Sequence, residues 1–340
     1  LWLEGKFGFS RGFDYFDVVS TPTDSYGGRV LFDRTIDMLN RSRIPKQFMF
    51  LHTYQIHSPF APPEDYIKKL KLKVKEKNLD TYYYDKQYLS NFDPELPEEM
   101  MKLYEAEIKA FDDFYGNFVK KLKEMGIYNQ SMIVFFTDHG EEFYEHKGWS
   151  HAHALYNELL KSPLFIKFPA NQHRGKTIDT PVAIIDILPT VLDFTQIRHD
   201  RKVDGLSLMP LINGGEWKRK QVYASTSVTY LVKQIQPKFA IIDSDYKLIY
   251  NYEYSPENLK FFEKYGLPPK VDEVQIFDMK NDITEIKPIT GKKFASIKKR
   301  YWNDVRRVKQ TIERGMAKPR KSNIRFTEAE KKKLRSLGYL

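Results

Sequence analysis

The chain contains no cysteine. Disulfides and a cysteine nucleophile are therefore excluded within these residues, and the compartment stays open. No apolar run approaches the roughly eighteen residues that a membrane-crossing helix needs. The first residues, Leu1 to Arg11, lack a basic start followed by an apolar stretch, so they are not a signal peptide; they read like the middle of a domain. Internal repeats and low-complexity linkers are also missing. What is present is 340 residues with 41% apolar content, enough for one large α/β domain with an appendage or for two domains. The net charge of +10 is uneven. From Lys287 onward there are 18 Lys and Arg against 4 Asp and Glu, a net of +14, which leaves 37 against 41, or −4, in the residues before it. Such a basic tail is a solvated helical face or an attractor of anionic polymer, nucleic acid or an anionic membrane surface.

The stretch from Ser131 to Pro169 organises the rest. Met132 to Phe136 is an apolar run with the β-branched and aromatic make-up of a buried strand. It stops at Thr137-Asp138-His139-Gly140, where polar residues would sit at the rim of a sheet, the usual place for a ligand in open α/β folds. Gly140 allows a sharp turn and close approach of the backbone to a neighbour. Glu141, Glu142, Glu145, His146, Lys147 and His151 follow within a dozen residues, and Pro163 to Phe168 reads as a second buried strand. Carboxylates and imidazoles gathered between two strands are what a metal or anion site requires.

Elsewhere, Val30 to Leu39 predicts a short amphipathic helix and Phe48 to Tyr54 a strand that delivers His57-Ser58-Pro59-Phe60. Lys68 to Phe92 is a Lys-rich then Tyr-rich insertion, in which Tyr82, Tyr83, Tyr84 and Tyr88 cover the domain edge or form a stacking surface. Leu96 to Gly126 is the clearest helix: Met101, Tyr104, Ile108, Phe111, Tyr115, Phe118, Leu122 and Met125 recur at three- and four-residue steps, and Gly126 suits its stop. Pro181 to Ile187 reads as a strand, after which Asp186 is expected to cap a short helix. Val222 to Ser225, Lys238 to Ile242, Lys247 to Tyr250 and Val274 to Met279 predict short strands, with a hairpin turn at Asp243-Ser244-Asp245. Lys292 to Gly315 predicts a basic helix. Thr327-x-x-Glu330 is a capping box for a last helix that Gly338 ends.

Together these phrases resemble the sulfatase family of the alkaline phosphatase superfamily. The resemblance rests on Asp138-His139-Gly140-Glu141-Glu142-Phe143, Glu145-His146, Trp149-Ser150-His151, Leu155-Tyr156-Asn157-Glu158 and Ser162-Pro163-Leu164, with His57-x-Pro59-Phe60-x-Pro62-Pro63 upstream. Phe277-Asp278-Met279 through Glu285 resembles a C-terminal phrase of the family, with Ile283 where relatives carry proline. The implied fold is α/β: an alkaline phosphatase-like mixed, mostly parallel sheet flanked by helices, with a small antiparallel C-terminal subdomain and a basic helical tail. The corresponding division is 1–215, 216–286 and 287–340. The family's Cys/Ser-x-Pro-x-Arg nucleophile signature is absent, as is its first-strand pair of metal-binding aspartates. The chain is thus expected to begin partway into the fold, and on its own to be catalytically inactive.

The resemblance implies that Asp138 and His139 are metal ligands. Ca2+ is the usual ion, while a histidine ligand also suits Mn2+ or Zn2+ and leaves Mg2+ open. It implies that His57 and His151 contact the sulfate, with His151 protonating the leaving oxygen, and it makes His146 a further catalytic candidate. His153 competes with His151 for its role, and Glu141 and Glu142 are expected to orient the histidines. Relatives with histidine at position 151 commonly follow it with glycine, where this chain has Ala152. The implied activity is hydrolysis of a sulfate ester on a sulfated small molecule or glycan, by a formylglycine nucleophile from an upstream segment. The alternatives are a phosphoryl-transfer relative, such as a phosphonate or phosphodiester hydrolase or a phosphoethanolamine transferase, and a non-catalytic anion-binding fragment. No specific nucleic-acid recognition is expected, and the anionic polymer or membrane surface would meet the basic tail.

Overall fold

The computed structural model describes residues 5–18, 25–74, 95–226, 237–253, 256, 272–316 and 327–328. The tyrosines at 82–84 and 88, and most of the helix expected after Thr327, lie outside the described residues. The described residues form two compact units that divide between Ser131 and Met132.

The first unit is helical. Helix α1 (Gly27–Arg41) and helix α2 (Glu64–Lys69) both pack on α3 (Leu96–Glu124). Phe32 of α1 stacks on Phe118 of α3 at 4.8 Å and 17°, with Phe111 and Tyr115 around it. Tyr66 of α2 donates its hydroxyl hydrogen to Asp113 Oδ2 at 3.0 Å. Pro97, Glu98 and Glu99 open α3, Lys121 and Lys123 lie in its last turn, and Gly126 follows with φ +72°. Those charges complement the helix dipole, and the left-handed glycine stops the helix as its position suggests. The buried stripe of α3 runs through Met100, Leu103, Ala106, Ala110, Phe114, Phe118 and Leu122. Met101 and Ile108 are 37% and 42% exposed, so the packed face is turned about one residue from the one the aromatic spacing suggests. Phe48 to Tyr54 forms no strand among the described residues: the segment runs free of any ladder, with Phe48 70% and Phe50 52% exposed.

The second unit begins with β1 (Ile133–Phe136), which pairs antiparallel with β4 (Leu164–Lys167) in the register Ile133↔Lys167 to Phe136↔Leu164. Both expected strands are present. They are half-buried rather than buried, and Phe165 is 65% exposed beside Phe135. Between them, β2 (Glu142–Phe143) and β3 (Trp149–Ser150) form a small hairpin, and α4 (Asn157–Leu160) a single turn. Pro181 to Ile187 is not a strand. Its end coils into a 3-10 turn (Ile184–Asp186) leading into α5 (Ile187–Phe194). The Asp186 carboxylate does not cap α5. It turns back to accept from the Ala183 and Leu206 amides and from Arg219, which welds the turn to the chain around Gly205. Helix α6 (Met209–Ile212) follows.

The remaining strands are β5 (Val222–Thr226), β6 (Lys238–Ile242), β7 (Tyr246–Asn251) and β8 (Val274–Asp278), antiparallel throughout and ordered β5-β6-β7-β8. The hairpin at Asp243-Ser244-Asp245 forms as the sequence suggests, with the Asp243 carboxylate accepting from the amides of Asp245 and Tyr246 at 2.8 Å each. One face of this sheet packs Phe239, Ile241, Leu248 and Ile276 against Ile297, Tyr301 and Val305 of α7 (Gly291–Met316). The basic segment is therefore no loose appendage at its start, because its apolar face completes a core. The other sheet face packs Ala240, Ile249 and Phe277 against Leu155, the residue that follows the loop of the candidate site. Among the described residues every strand ladder is antiparallel, including the β1–β4 pair.

Candidate active site

The site in the second unit grows from the end of β1. The chain turns at Asp138-His139-Gly140 and lies against α4, where the Gly140 amide donates to Leu159 O at 2.9 Å. A Cβ at Gly140 would lie 1.9 Å from Glu158 O, so only glycine fits this approach. Asp138 is largely exposed and accepts from the His139 amide at 3.1 Å. His139 Nδ1 lies 2.8 Å from Gly140 O. A carbonyl only accepts, so Nδ1 carries the proton and Nε2 keeps its lone pair. That Nε2 is 3.7 Å from Asp138 Oδ2. Donor atoms sharing one cation at about 2.0–2.5 Å lie about 3–4 Å apart, so this pair fits as part of a divalent-cation site.

His151 packs its ring against His139 with centroids 4.2 Å apart. It is 5% exposed, and its Nδ1 lies 3.2 and 3.3 Å from the two carboxylate oxygens of Glu141, to which it donates. Burial disfavours the imidazolium. The hydrogen bond and charge of Glu141 outweigh it and hold His151 above the ordinary histidine range.

Glu142 is the hub of the loop. It is 1% exposed and accepts from the amides of His146 (3.0 Å) and Gly148 (2.7 Å) and from His153 Nε2 (2.6 Å). Burial alone would raise its pKa, but these donors hold it below the usual carboxylate range. A Cβ at Gly148 would sit 2.2 Å from His153 Nε2 and 2.7 Å from Glu142 Oε2, so a side chain there would have to push that hydrogen-bonded pair aside. The loop is strained: Tyr144, Lys147, Ser150 and Ala152 all have φ between +65° and +78°. Left-handed backbone costs a non-glycine residue energy and persists only where surrounding contacts hold it. Two of those contacts come from the antiparallel sheet. Thr226 donates to Ala152 O, and Lys238 Nζ donates to His153 O at 3.0 Å. Burial pushes Lys238 down to about 8.

His146 has a different role from His151. Its Nδ1 lies 2.7 Å from Glu158 Oε1 and its Nε2 3.1 Å from Glu285 O, with the ring stacked on Tyr156 at 3.7 Å. Both partners are acceptors, an arrangement that favours the doubly protonated ring. Burial opposes this, and the Glu158 hydrogen bond and charge overcome it to raise the pKa. Glu142, His146 and Glu158 each offer a ligand atom within 4.8 Å of the others. Those atoms already satisfy one another and the backbone, so the trio is a filled network.

The first unit holds His57. Its Nδ1 lies 2.5 Å from Ser58 O, which again leaves Nε2 as the atom without the proton. The loop carrying it is clamped by Glu107 of α3. Glu107 Oε2 accepts from Gln55 Nε2 at 2.6 Å and Oε1 from the Ala61 amide at 3.0 Å. Gln55 in turn accepts from the Gly28 amide at 3.0 Å. Burial pushes Glu107 up to about 7 against these donors.

The sequence points to Asp138, His139, His151, His146 and His57; Asp138, His139 and His151 meet in the second unit, whereas His146 belongs to a separate network with Glu142, Glu158 and Glu285. The sequence does not single out Gln55, Glu107, Thr226, Lys238 and Lys247. Glu285 was within reach, since it closes the phrase that begins at Phe277.

Comparison with known proteins bears on this arrangement. The Sulfatase family model matches residues 6–197, more than half of the chain, and takes in both His57 and the Asp138–His153 loop. The chain belongs to the sulfatase family. A second model, the C-terminal region of N-sulphoglucosamine sulphohydrolase, matches residues 145–311 of this sulfatase chain, which spans the antiparallel sheet and most of α7. An N-acetylglucosamine-6-O-sulfatase of Bacteroides thetaiotaomicron is 27% identical over 200 residues, covering 57% of this chain and 33% of that protein. An arylsulfatase of Clostridium perfringens is 28% identical over 195 residues, covering 53% and 40%. The chain therefore spans between a third and two fifths of the length of these relatives. The fold is shared with the phosphonate monoester hydrolase of Agrobacterium radiobacter, with a TM-score of 0.64, 18% identity, and 84% of this chain and 60% of that one covered.

Proposed function

We propose that this chain is part of a sulfuric ester hydrolase. The observation that supports it most is the pairing of Asp138 and His139, with one imidazole tautomer set and Nε2 turned to the carboxylate, against the buried His151–Glu141 couple. Asp138 Oδ2 and His139 Nε2 would hold a divalent cation, with Ca2+ the first expectation of the family. When bound, such an ion neutralises charge on the ester oxygens and on the attacking group. Gly140, pressed on Glu158 O, holds the two ligands in place.

His151 is the acid in this reading. Glu141 keeps a proton on Nδ1 and favours the cation, so Nε2–H can donate to the oxygen of the departing alcohol. His57 donates Nδ1–H to Ser58 O, and in its doubly protonated form its Nε2–H would donate to an anion. His146 does not act on the substrate, because its nitrogens are bound to Glu158 and Glu285; it holds the loop that carries His151. The nucleophile is a formylglycine contributed by residues outside these 340, and the alcohol is a sulfated glycan or small molecule. The basic segment from Lys287 adds an anion-attracting surface.

A peptide map of the native protein from its source, joined to turnover of 4-nitrophenyl sulfate and of a phosphonate monoester, tests this. An aldehyde-bearing peptide upstream and cation-dependent sulfate release are expected. An unmodified threonine at the nucleophile position, or preference for the phosphonate, would transfer the site to phosphoryl chemistry. An intact mass matching the 340 residues would leave an anion-binding fragment.

A further inference from the structure

The outer face of α7 carries a cationic row that the core does not use. Over Gly291–Met316 there are nine Lys and Arg against two acidic residues, Asp304 and Glu313. The inward residues are Ile297, Tyr301 and Val305. At 100° per residue, Lys292, Lys299 and Arg306 fall on a single line roughly opposite that face. They recur every seven residues, which spaces them about 10 Å apart along the helix axis. All three are exposed. Five of the other six cations are engaged: Lys293 with Asp278, Lys298 with Glu273, Arg300 with Asp243, Arg307 with Asp304, and Lys309 with the Tyr250 hydroxyl. Lys292 and Lys299 make no ion pair among the described residues, and Arg306 donates to the neutral Asn303 side chain. The flanks thus serve the fold, while the central row faces solvent with its charge uncompensated.

We infer that Lys292, Lys299 and Arg306 form a binding track for a sulfated polysaccharide chain. The inference rests on the sulfuric ester hydrolase reading for its choice of polymer. The chemistry of the row supports that choice. A membrane-surface helix needs large apolar residues on the side that meets the lipid. Between the cations of this row stand Ala295, Ser296 and Asn303, Gln310 follows Arg306 and Glu313 ends the row, and the large apolar residues of α7 face the sheet. Single-stranded nucleic acid is held by open aromatic faces as well as by charge. Here the nearby rings are covered by the protein's own cations: Lys298 lies over Phe294 and Trp302, Arg300 over Tyr301, and Arg307 over Tyr223. What remains is a straight line of charge flanked by short polar side chains, suited to a linear polyanion that lacks both apolar tails and bases.

Heparin binding to the chain in low salt, with salt titration, tests the track. Lys292→Gln/Lys299→Gln/Arg306→Gln keeps good helix formers at exposed positions. It is expected to weaken heparin binding at least about tenfold and to flatten the dependence of log Kd on log salt by roughly two to three. A control of equal charge change, Arg174→Gln/Lys202→Gln/Lys218→Gln, is expected to stay within about twofold, because only the arrangement on α7 matters. Lys299→Glu alone should give an intermediate loss. Heparin affinity unchanged in the α7 variant, or lost equally in the control, would overturn the track. Equal affinity for single-stranded DNA or for phosphatidylserine vesicles through the same residues would overturn its assignment to sulfated glycan. Asp138→Ala should leave heparin binding intact, so failure of the hydrolase reading is distinguished from failure of the track.

Discussion

Lys247 and Glu285 meet at 2.8 Å with both side chains fully buried, the first in the middle of the antiparallel sheet and the second beyond its last strand. The same two residues grip the start of α4. Lys247 donates to Asn157 Oδ1 at 3.1 Å, and Glu285 Oε2 accepts from the Asn157 amide at 2.5 Å. Glu285 O also accepts a hydrogen bond from His146 Nε2. The sheet is thereby tied to the loop that carries the candidate chemistry. Removing one partner of a buried ion pair strands the other charge, at about 3–5 kcal/mol. Lys247→Met and Glu285→Leu should each lower stability to urea by about that much, and the double variant by clearly less than their sum. Additive losses would show that the pair is not coupled.

Ala152 has φ +70° in a loop already bent at Tyr144, Lys147 and Ser150. The left-handed region costs an L-residue roughly 1–2 kcal/mol, partly offset in glycine by its greater freedom in the unfolded chain. Ala152→Gly should therefore raise stability by up to about 1 kcal/mol, and Ala152→Val should lower it by more than about 1 kcal/mol, since a β-branched side chain tolerates this backbone worst. Thermal unfolding of the three proteins measures both. A glycine variant less stable than the wild chain would show that the left-handed backbone at 152 costs alanine less than glycine loses in chain freedom.

This position shows how much the sequence could carry. The resemblance suggested glycine at 152, and the backbone there is indeed one that favours glycine. The meeting of Asp138, His139 and His151 was legible because the three lie in one short stretch of sequence. The four short strands and their hairpin at Asp243 were legible because antiparallel neighbours are local. What was not legible arrives from far along the chain. Thr226 and Lys238 reach the loop from strands 74 and 85 residues from their acceptors, Ala152 and His153. Pro181 to Ile187 had strand composition. Its helix-like turn comes from Asp186 bonding back to Ala183 and across to Leu206, contacts that no local pattern encodes. In α3 the aromatic residues suggested one face, and the small residues Ala106 and Ala110, which allow close packing, set another.

Glu107 should make stability fall as pH rises. Its carboxyl is pushed up to about 7 in the folded chain, from an ordinary value of 4.5. Between those values the folded state binds more protons than the unfolded state, so each step up in pH costs stability until the group is ionised in both. Glu107 therefore contributes a loss spread over roughly pH 4.5 to 7 and constant above that. Glu107→Gln keeps an acceptor for the Ala61 amide and does not titrate. Urea midpoints of the variant should decline less than those of the wild chain between pH 5 and 7.5. Parallel curves would show that Glu107 is ionised throughout that range.

Asp243 receives the Tyr301 hydroxyl and the Arg300 guanidinium from α7 while it also closes the hairpin turn. A hydrogen bond to a charged acceptor contributes about 1.5–3 kcal/mol. Tyr301→Phe should lose about that much, because Tyr301 is fully buried. Asp243→Ala should cost more, since it removes the turn acceptors together with the helix anchor. Chemical denaturation checks the order, and equal losses would confine the role of Asp243 to its bond with Tyr301.

The role of His151 can be separated from mere positioning by the leaving group. If its proton goes to the departing oxygen, an alcohol that is a good leaving group needs that proton little, whereas a sugar or alkyl alcohol needs it fully. In the native protein carrying its nucleophile, His151→Ala should lower kcat on an alkyl or sugar sulfate by about 10²–10⁴. The same change should lower turnover of 4-nitrophenyl sulfate far less. Glu141→Gln leaves the ring in place but removes the charge that favours its cation, so it should give a smaller loss with the same dependence on leaving group. His146→Gln should reduce both substrates by a common factor, because His146 holds the loop through Glu158 and Glu285 and donates to no substrate atom. A common factor for His151→Ala as well would remove the proton-donating role from His151 and leave it a packing partner of His139.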